Sequence, residues 1–399
     1  MCEYSFNPYL NKRPAWQRGD DTFLARNDML EFHRSLDGYA PTPLRALPEL
    51  AQSLGVRALY VKDESWRFGV KAFKPLGASY AIYRFLKEVW EERFDSEFTP
   101  QGFKDQQVLE QLGTFTFCAA TDGNHGRAVA WTASRLGQRA VIYLPQNSAP
   151  ARVEAIRGEG AEAVLVAGTF DDCVKRCADD AQANGWQVIA DTAYPGYMEV
   201  PKNIVLGYSS IFRELEDSIN ERGAPAVDIV LVQAGVGGLA AAATSYYLRR
   251  YAERGPQLVC VEPGDSDCFL ESIRFGGGEP LSTRGKLETM MAGLACGTPS
   301  LVAWPIVRDG MDLFISCPDH YAVQAMRAYH REGITAGESG AAGLAGLLAL
   351  LRSASLRKAQ ERLGLGGESR ILLINTEGDT DPVNYRKIIG EGARAWPST

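Results

Sequence analysis

Lys74 lies in the stretch Lys71-Ala72-Phe73-Lys74-Pro75-Leu76-Gly77-Ala78-Ser79-Tyr80, after an apolar residue and before a helical run. Pro75 suits the first helical position, where its missing N–H costs nothing. Lys74 then falls at the helix start, where the positive end of the helix dipole disfavours an ammonium. A lysine there releases its proton more readily, which suits Schiff-base chemistry. Taken alone, it reads as an ordinary solvated lysine, as most are.

Four further motifs share one placement. Thr121-Asp122-Gly123-Asn124-His125-Gly126 follows an apolar strand and opens a helix, where α/β sheets bind ligands; a capped turn is the equal alternative. Gln233-Ala234-Gly235-Val236-Gly237-Gly238-Leu239 also joins strand to helix, and its backbone N–H groups suit an anion. Its spacing is not the dinucleotide fingerprint. Gly337-Glu338-Ser339-Gly340-Ala341-Ala342-Gly343 and Thr376-Glu377-Gly378-Asp379-Thr380-Asp381 each read alone as a cap or a turn. Together the five supply an amine, carboxylates, an amide and an anion cradle. Pyridoxal 5′-phosphate (PLP) needs such a set: an amine for its aldehyde, a cradle for its phosphate and a polar group at its ring nitrogen.

The elements that must hold these motifs alternate. Apolar runs at Ala58–Val61, Thr116–Ala120, Ala140–Leu144, Ala163–Val166, Val188–Ala190, Ile229–Gln233, Leu258–Val261, Leu313–Ser316 and Ile371–Asn375 read as buried strands. Helical patterns fall between them at Gly126–Leu136, Ala149–Glu159, Asp171–Asn184, Gly207–Glu221, Leu239–Arg254, Tyr321–Glu332 and Ala341–Ser353. Strand–helix alternation argues an α/β fold with parallel sheets flanked by helices. Thr114–Asp191 forms one α/β block, and a second runs from about Ile204 onward.

The composition narrows the class. A chain of 399 residues has room for two or three lobes. Its charge of −7 comes with interspersed signs and no basic block, against a nucleic-acid surface. No apolar run reaches the roughly 18 residues of a membrane helix, and residues 1–18 lack a secretory signal's apolar stretch. A cytoplasmic protein is expected. Eight scattered cysteines make no disulfide framework. Cys173 and Cys177, four apart in a helix, read as ordinary helix residues rather than metal ligands. Cys268 and Cys296 fall in loop regions, and their pairing stays open.

In this order, Phe73-Lys74-Pro75-Leu76-Gly77, Thr121 to Gly126, Ala234 to Gly238, Gly337 to Ala341 and Thr376 to Thr380 resemble the tryptophan-synthase-β-like, fold-type-II PLP enzymes. Within them the chain resembles the diaminopropionate ammonia-lyase family. The resemblance runs from about Gly38 to Tyr385. Gly38 to Leu44, Val61 to Ser65, Arg67 to Gly69, Asp191 to Ala193 and Met291 to Gly297 match as well. Ser79 stands where glycine is expected, Val236 interrupts the glycine loop, and residues 94–113 and the first 30 or so show no match.

The resemblance implies a two-lobed fold. A large PLP-binding domain would be formed by residues 1–85 and 205–399, with a small α/β domain at 86–204. It implies Lys74 as the Schiff-base lysine and Asn124 beside the ring hydroxyl. Gly235, Val236, Gly237 and Gly238 match the phosphate loop, and Glu338 and Thr376 fall at the cofactor, Thr376 near the ring nitrogen. Asp122 and Asp191 match acid–base residues, and with Thr121 they would meet the substrate. The implied reaction is α,β-elimination of 2,3-diaminopropionate, D or L, to pyruvate and ammonia, in a homodimer; the sequence shows no metal-ligand cluster, and dependence on a metal or monovalent cation stays open. Aspartate at 122 suits a leaving amine, which needs a proton and is attracted by a carboxylate. A serine, threonine or hydroxyaspartate dehydratase, a cysteine desulfhydrase, or a non-catalytic PLP-binding protein are the alternatives.

Overall fold

The computed structural model describes residues 1–10, 22–121, 123–222, 227–251 and 254–390. Its strands are β1 (Glu3–Phe6), β2 (Leu44–Ala46), β3 (Ala58–Asp63), β4 (Thr116–Ala120), β5 (Arg139–Pro145), β6 (Glu162–Val166), β7 (Gln187–Val188), β8 (Ile229–Gln233), β9 (Gln257–Pro263), β10 (Leu313–Cys317) and β11 (Arg370–Asn375). The chain divides into two compact units, Thr22–Pro41 with Arg67–Arg213, and Met1–Asp21 with Thr42–Trp66 and Glu214–Thr399.

The smaller unit holds a four-stranded parallel sheet in the order β6-β5-β4-β7. Helices α1 (Lys74–Phe94), α2 (Asn124–Arg135) and α3 (Phe170–Asn184) belong to it, as does α4 (Glu199–Arg222) as far as Arg213. Cys173 and Cys177 lie on the buried face of α3, packed with Cys118, Val141 and Tyr143. They are core residues.

The domain boundary expected after residue 85 falls inside α1, a continuous 21-residue helix. The buried face of its first half packs within the smaller unit. Phe32 stacks on Tyr83 at 4.4 Å, Tyr80 donates to Asp28 at 2.6 Å, and His33 bonds Ser210 at 2.7 Å and Leu76 O at 2.9 Å. These contacts place Thr22–Pro41 and Lys74 itself in the smaller unit, where the sequence reading had assigned both to the larger one.

The larger unit holds a seven-stranded sheet, β1-β10-β9-β8-β11-β3-β2. The five inner strands are parallel, and β1 and β2 are antiparallel edges. β8 and β10 are buried at every residue, as strands covered on both faces are. The covering helices include α5 (Gly238–Tyr251), α6 (Cys268–Phe275) and α7 (Ala342–Arg352), the last buried from Ala342 to Leu350.

Within the smaller unit α4 crosses α1 at touching distance. A methyl group at Gly207 would lie 2.3 Å from Leu76 O and 2.9 Å from Gly77 Cα, and one at Gly77 would lie 2.5 Å from the Tyr208 ring. The crossing fixes the first turn of α1, which begins at Lys74. Gly207→Ala is therefore expected to lower stability by about 1–3 kcal/mol. Urea unfolding of the purified variant measures it, and an unchanged midpoint would contradict the close crossing.

Candidate active site

Each sheet has a point where its strand order reverses, and the loops beyond the strands' carboxyl ends open there. In the smaller unit the reversal lies between β4 and β7. Thr121 leaves β4, and Ile189–Asp191 follows β7. In the larger unit it lies between β8 and β11, followed by Ala234–Gly238 and Thr376–Gly378. Three of the five motifs, together with the segment that carries Asp191, therefore sit where an α/β sheet receives ligands.

In the smaller unit Lys74 is the first residue of α1, with Pro75 behind it, one position later than expected. Its Nζ donates to Asp191 Oδ2 at 2.6 Å, with the two side chains only 18 and 21% exposed. Burial alone would raise the Asp191 carboxyl. The Lys74 ammonium, the His125 ring and the hydrogen bond from Lys74 outweigh it and hold the carboxyl well below its ordinary value. His125 Nε2 lies 2.7 Å from Ile189 O and must carry the proton there. Nδ1 then presents a lone pair, 3.9 Å from Asp191 Oδ2, with no other partner among the described residues. Burial lowers the pKa of this ring, so it rests neutral. Tyr208 is fully buried, and burial raises its phenol while nearby Lys74 opposes the rise.

Thr121 Oγ1 accepts from the N–H groups of Gly123 at 2.9 Å and Gly126 at 3.1 Å, so its hydroxyl oxygen shapes the loop. Asn124 opens α2 and is half-buried. Asp122 lies outside the described residues.

In the larger unit Gly235, Val236 and Gly237 bridge β8 to Gly238, the first residue of α5. Gly237 has φ +95°, and a methyl there would lie 2.2 Å from Phe269. The carbonyls of Val236 and Gly237 accept from Ser300 N at 3.0 Å and Ala241 N at 2.8 Å. The N–H groups of Gly235, Val236, Gly237 and Gly238 find no acceptor among the described residues. Thr376 is buried, and its Oγ1 lies 3.1 Å from Gln233 Nε2. Glu338 is buried and accepts from Asn384 Nδ2. Cys268 and Cys296 both remain thiols. Cys268 Sγ lies 3.9 Å from Gly235 O, and a methyl on Gly235 would lie 3.0 Å from Cys296 Sγ, so both border the glycine loop.

A family model described as pyridoxal-phosphate dependent enzyme matches residues 36–377. Diaminopropionate ammonia-lyase of Salmonella typhimurium is 39% identical over 405 residues, covering 99% of each chain. That of Escherichia coli K12 is 40% identical over 370 residues, covering 92% of this chain and 91% of its own. The chain belongs to the diaminopropionate ammonia-lyase family of PLP-dependent enzymes. The crystal structure of the Escherichia coli enzyme in complex with D-serine matches with a TM-score of 0.86 at 37% identity, covering 98% of both chains. The fold is accordingly the fold-type-II arrangement, and the cofactor is PLP. The residues fit that group: four unengaged N–H groups suit a phosphate, and the partly buried amine of Lys74 suits an aldehyde.

His125, Tyr208 and Gln233 were given no role from the sequence. His125 and Gln233 stand inside the quoted motifs, so position alone flagged them. Tyr208 lies within a helix and left no signal. Because the folded Asp191 titrates below its unfolded value, its stabilising effect is complete above about pH 4 and fades as pH falls below that. In the cofactor-free protein Asp191→Asn is expected to cost about 1.5–3 kcal/mol at pH 7, a gap that narrows toward pH 2. Denaturant unfolding across that range measures it, and a constant gap would contradict the assignment.

Proposed function

We propose that the protein converts 2,3-diaminopropionate and water to pyruvate and two molecules of ammonia. The observation that carries this reading is identity of 39–40% to diaminopropionate ammonia-lyases along nearly the whole chain. Lys74 would join the cofactor's aldehyde, Gly235–Gly238 would hold its phosphate, and Asn124, Glu338 and Thr376 would line it, Thr376 at the ring nitrogen. Bound PLP supplies an electron sink for the charge left when the Cα proton departs.

The protein's own groups manage the protons. Lys74 must give one up before its amine can react, and Asp191 Oδ2 at 2.6 Å lies against it. Asp191, with its depressed pKa, stays ionised and keeps the amine aimed, while His125 Nδ1 lies 3.9 Å from the same carboxylate oxygen. Lys74 would then serve as base at Cα on one face and Asp122 on the other, with Asp191 assisting. Carboxylates at 122 and 191 would attract a substrate's β-ammonium, which leaves as ammonia with the proton it already carries, and a β-amine bound in its neutral form would take that proton from a protonated Asp122. A hydroxyl substrate carries no charge for them to attract.

Further parts of this reading are a homodimer, which light scattering tests as twice the chain mass, and a cytoplasmic location. Among the described residues no helix is long and apolar enough to cross a membrane.

Incubating the PLP-loaded enzyme with D- and L-diaminopropionate, serine, threonine and cysteine tests the activity. Two ammonia per pyruvate from diaminopropionate is expected, and turnover confined to the hydroxy or thiol substrates would overturn the reading. Lys74→Ala is expected to lose at least about a thousandfold in kcat. Asp122→Asn should lose the D isomer selectively, and equal retention of both isomers would sink the two-face assignment.

A further inference from the structure

Gln233 ends β8 and is 2% exposed. Its Nε2 lies 3.0 Å from Ser339 O, 3.1 Å from Ile374 O, 3.4 Å from Gly340 O and 3.1 Å from Thr376 Oγ1. Three of these neighbours are carbonyls, which only accept. The amide must therefore turn its nitrogen toward them, and its orientation follows from the surroundings. Its Oε1 accepts nothing among the described residues.

This orientation decides what Thr376 can offer. A threonine hydroxyl has one proton and two lone pairs. One lone pair faces the Gln233 N–H. The proton has Ser339 O at 3.4 Å, well beyond the usual O–H···O range of about 2.5–3.0 Å. The hydroxyl is thus held from behind by a donor and keeps a proton that its resting contact barely uses.

We propose that Gln233 is a positioning residue that keeps the Thr376 hydroxyl a hydrogen-bond donor toward an unprotonated cofactor ring nitrogen. The inference rests on the reading above that Thr376 faces that nitrogen. Removing Gln233 frees the hydroxyl to rotate, so the two residues act as one unit rather than as separate contacts.

The test uses PLP-loaded enzyme and two readouts apart from turnover, the PLP dissociation constant and the pH dependence of the bound cofactor's visible absorption. Thr376→Val is expected to weaken PLP by about tenfold and to shift the absorption profile. Gln233→Met should do the same, and the double variant should be no worse than either single one. If Gln233→Met does not fold, Gln233→Glu replaces it, and its spectral effect must vanish in the Thr376→Val background. Thr376→Val without effect would overturn the ring-nitrogen reading itself. Thr376→Val with effect, beside a Gln233 variant that multiplies with it or changes only the melting temperature of the cofactor-free protein, would overturn the positioning role alone.

Discussion

A lysine that must both hold a proton and release it needs a fixed acceptor, and Lys74 has one in Asp191 at 2.6 Å. The rest of the smaller unit keeps that distance. Lys74 begins a 21-residue helix that cannot slide, because Leu76 and Gly77 are pressed against Gly207. Asp191 follows the short strand β7, whose loop is tied to His125 through Ile189 O. The pair thus joins a helix start to a strand end across the point where the sheet's order reverses.

Much of the fold was legible in the sequence. Parallel strands covered on both faces are apolar at successive positions, so Thr116–Ala120 and Ile229–Gln233 read out with the bounds the structure gives. The edges did not. β1 and β2 are only four and three residues long, and β1 takes its pairing from β10 at the far end of the fold's sequence order. α4 begins at Glu199 rather than Gly207 because Pro201 is tolerated in a first turn but reads as a breaker.

The site shows the same limit. Types and spacing picked out the loops only as a set, since most of them taken singly read equally well as caps or turns. They could not show that the Thr121 hydroxyl is occupied by its own loop, or that Gln233 reaches four oxygens. Nor could they show that Lys62, directly after the apolar run Ala58–Val61, is wholly buried and paired with Glu214 at 2.6 Å. Such partners are set by residues far away in the chain, which local pattern does not encode.

The strand order of the larger sheet carries a consequence for how the chain is made. β11 lies between β3 and β8, and Asp63 is bonded to Asn375 across 312 residues. While the chain emerges from a ribosome, β3 and β8 lack the strand that separates them until Arg370–Asn375 has been made. The smaller unit ends at Arg213 and has every strand it needs long before then. It can close early as an independent nucleus, while the larger sheet waits with open edges that neighbouring chains could pair with. An arrangement that sets Thr376 beside Gln233 in the finished protein thus leaves a long interval of exposure during its synthesis.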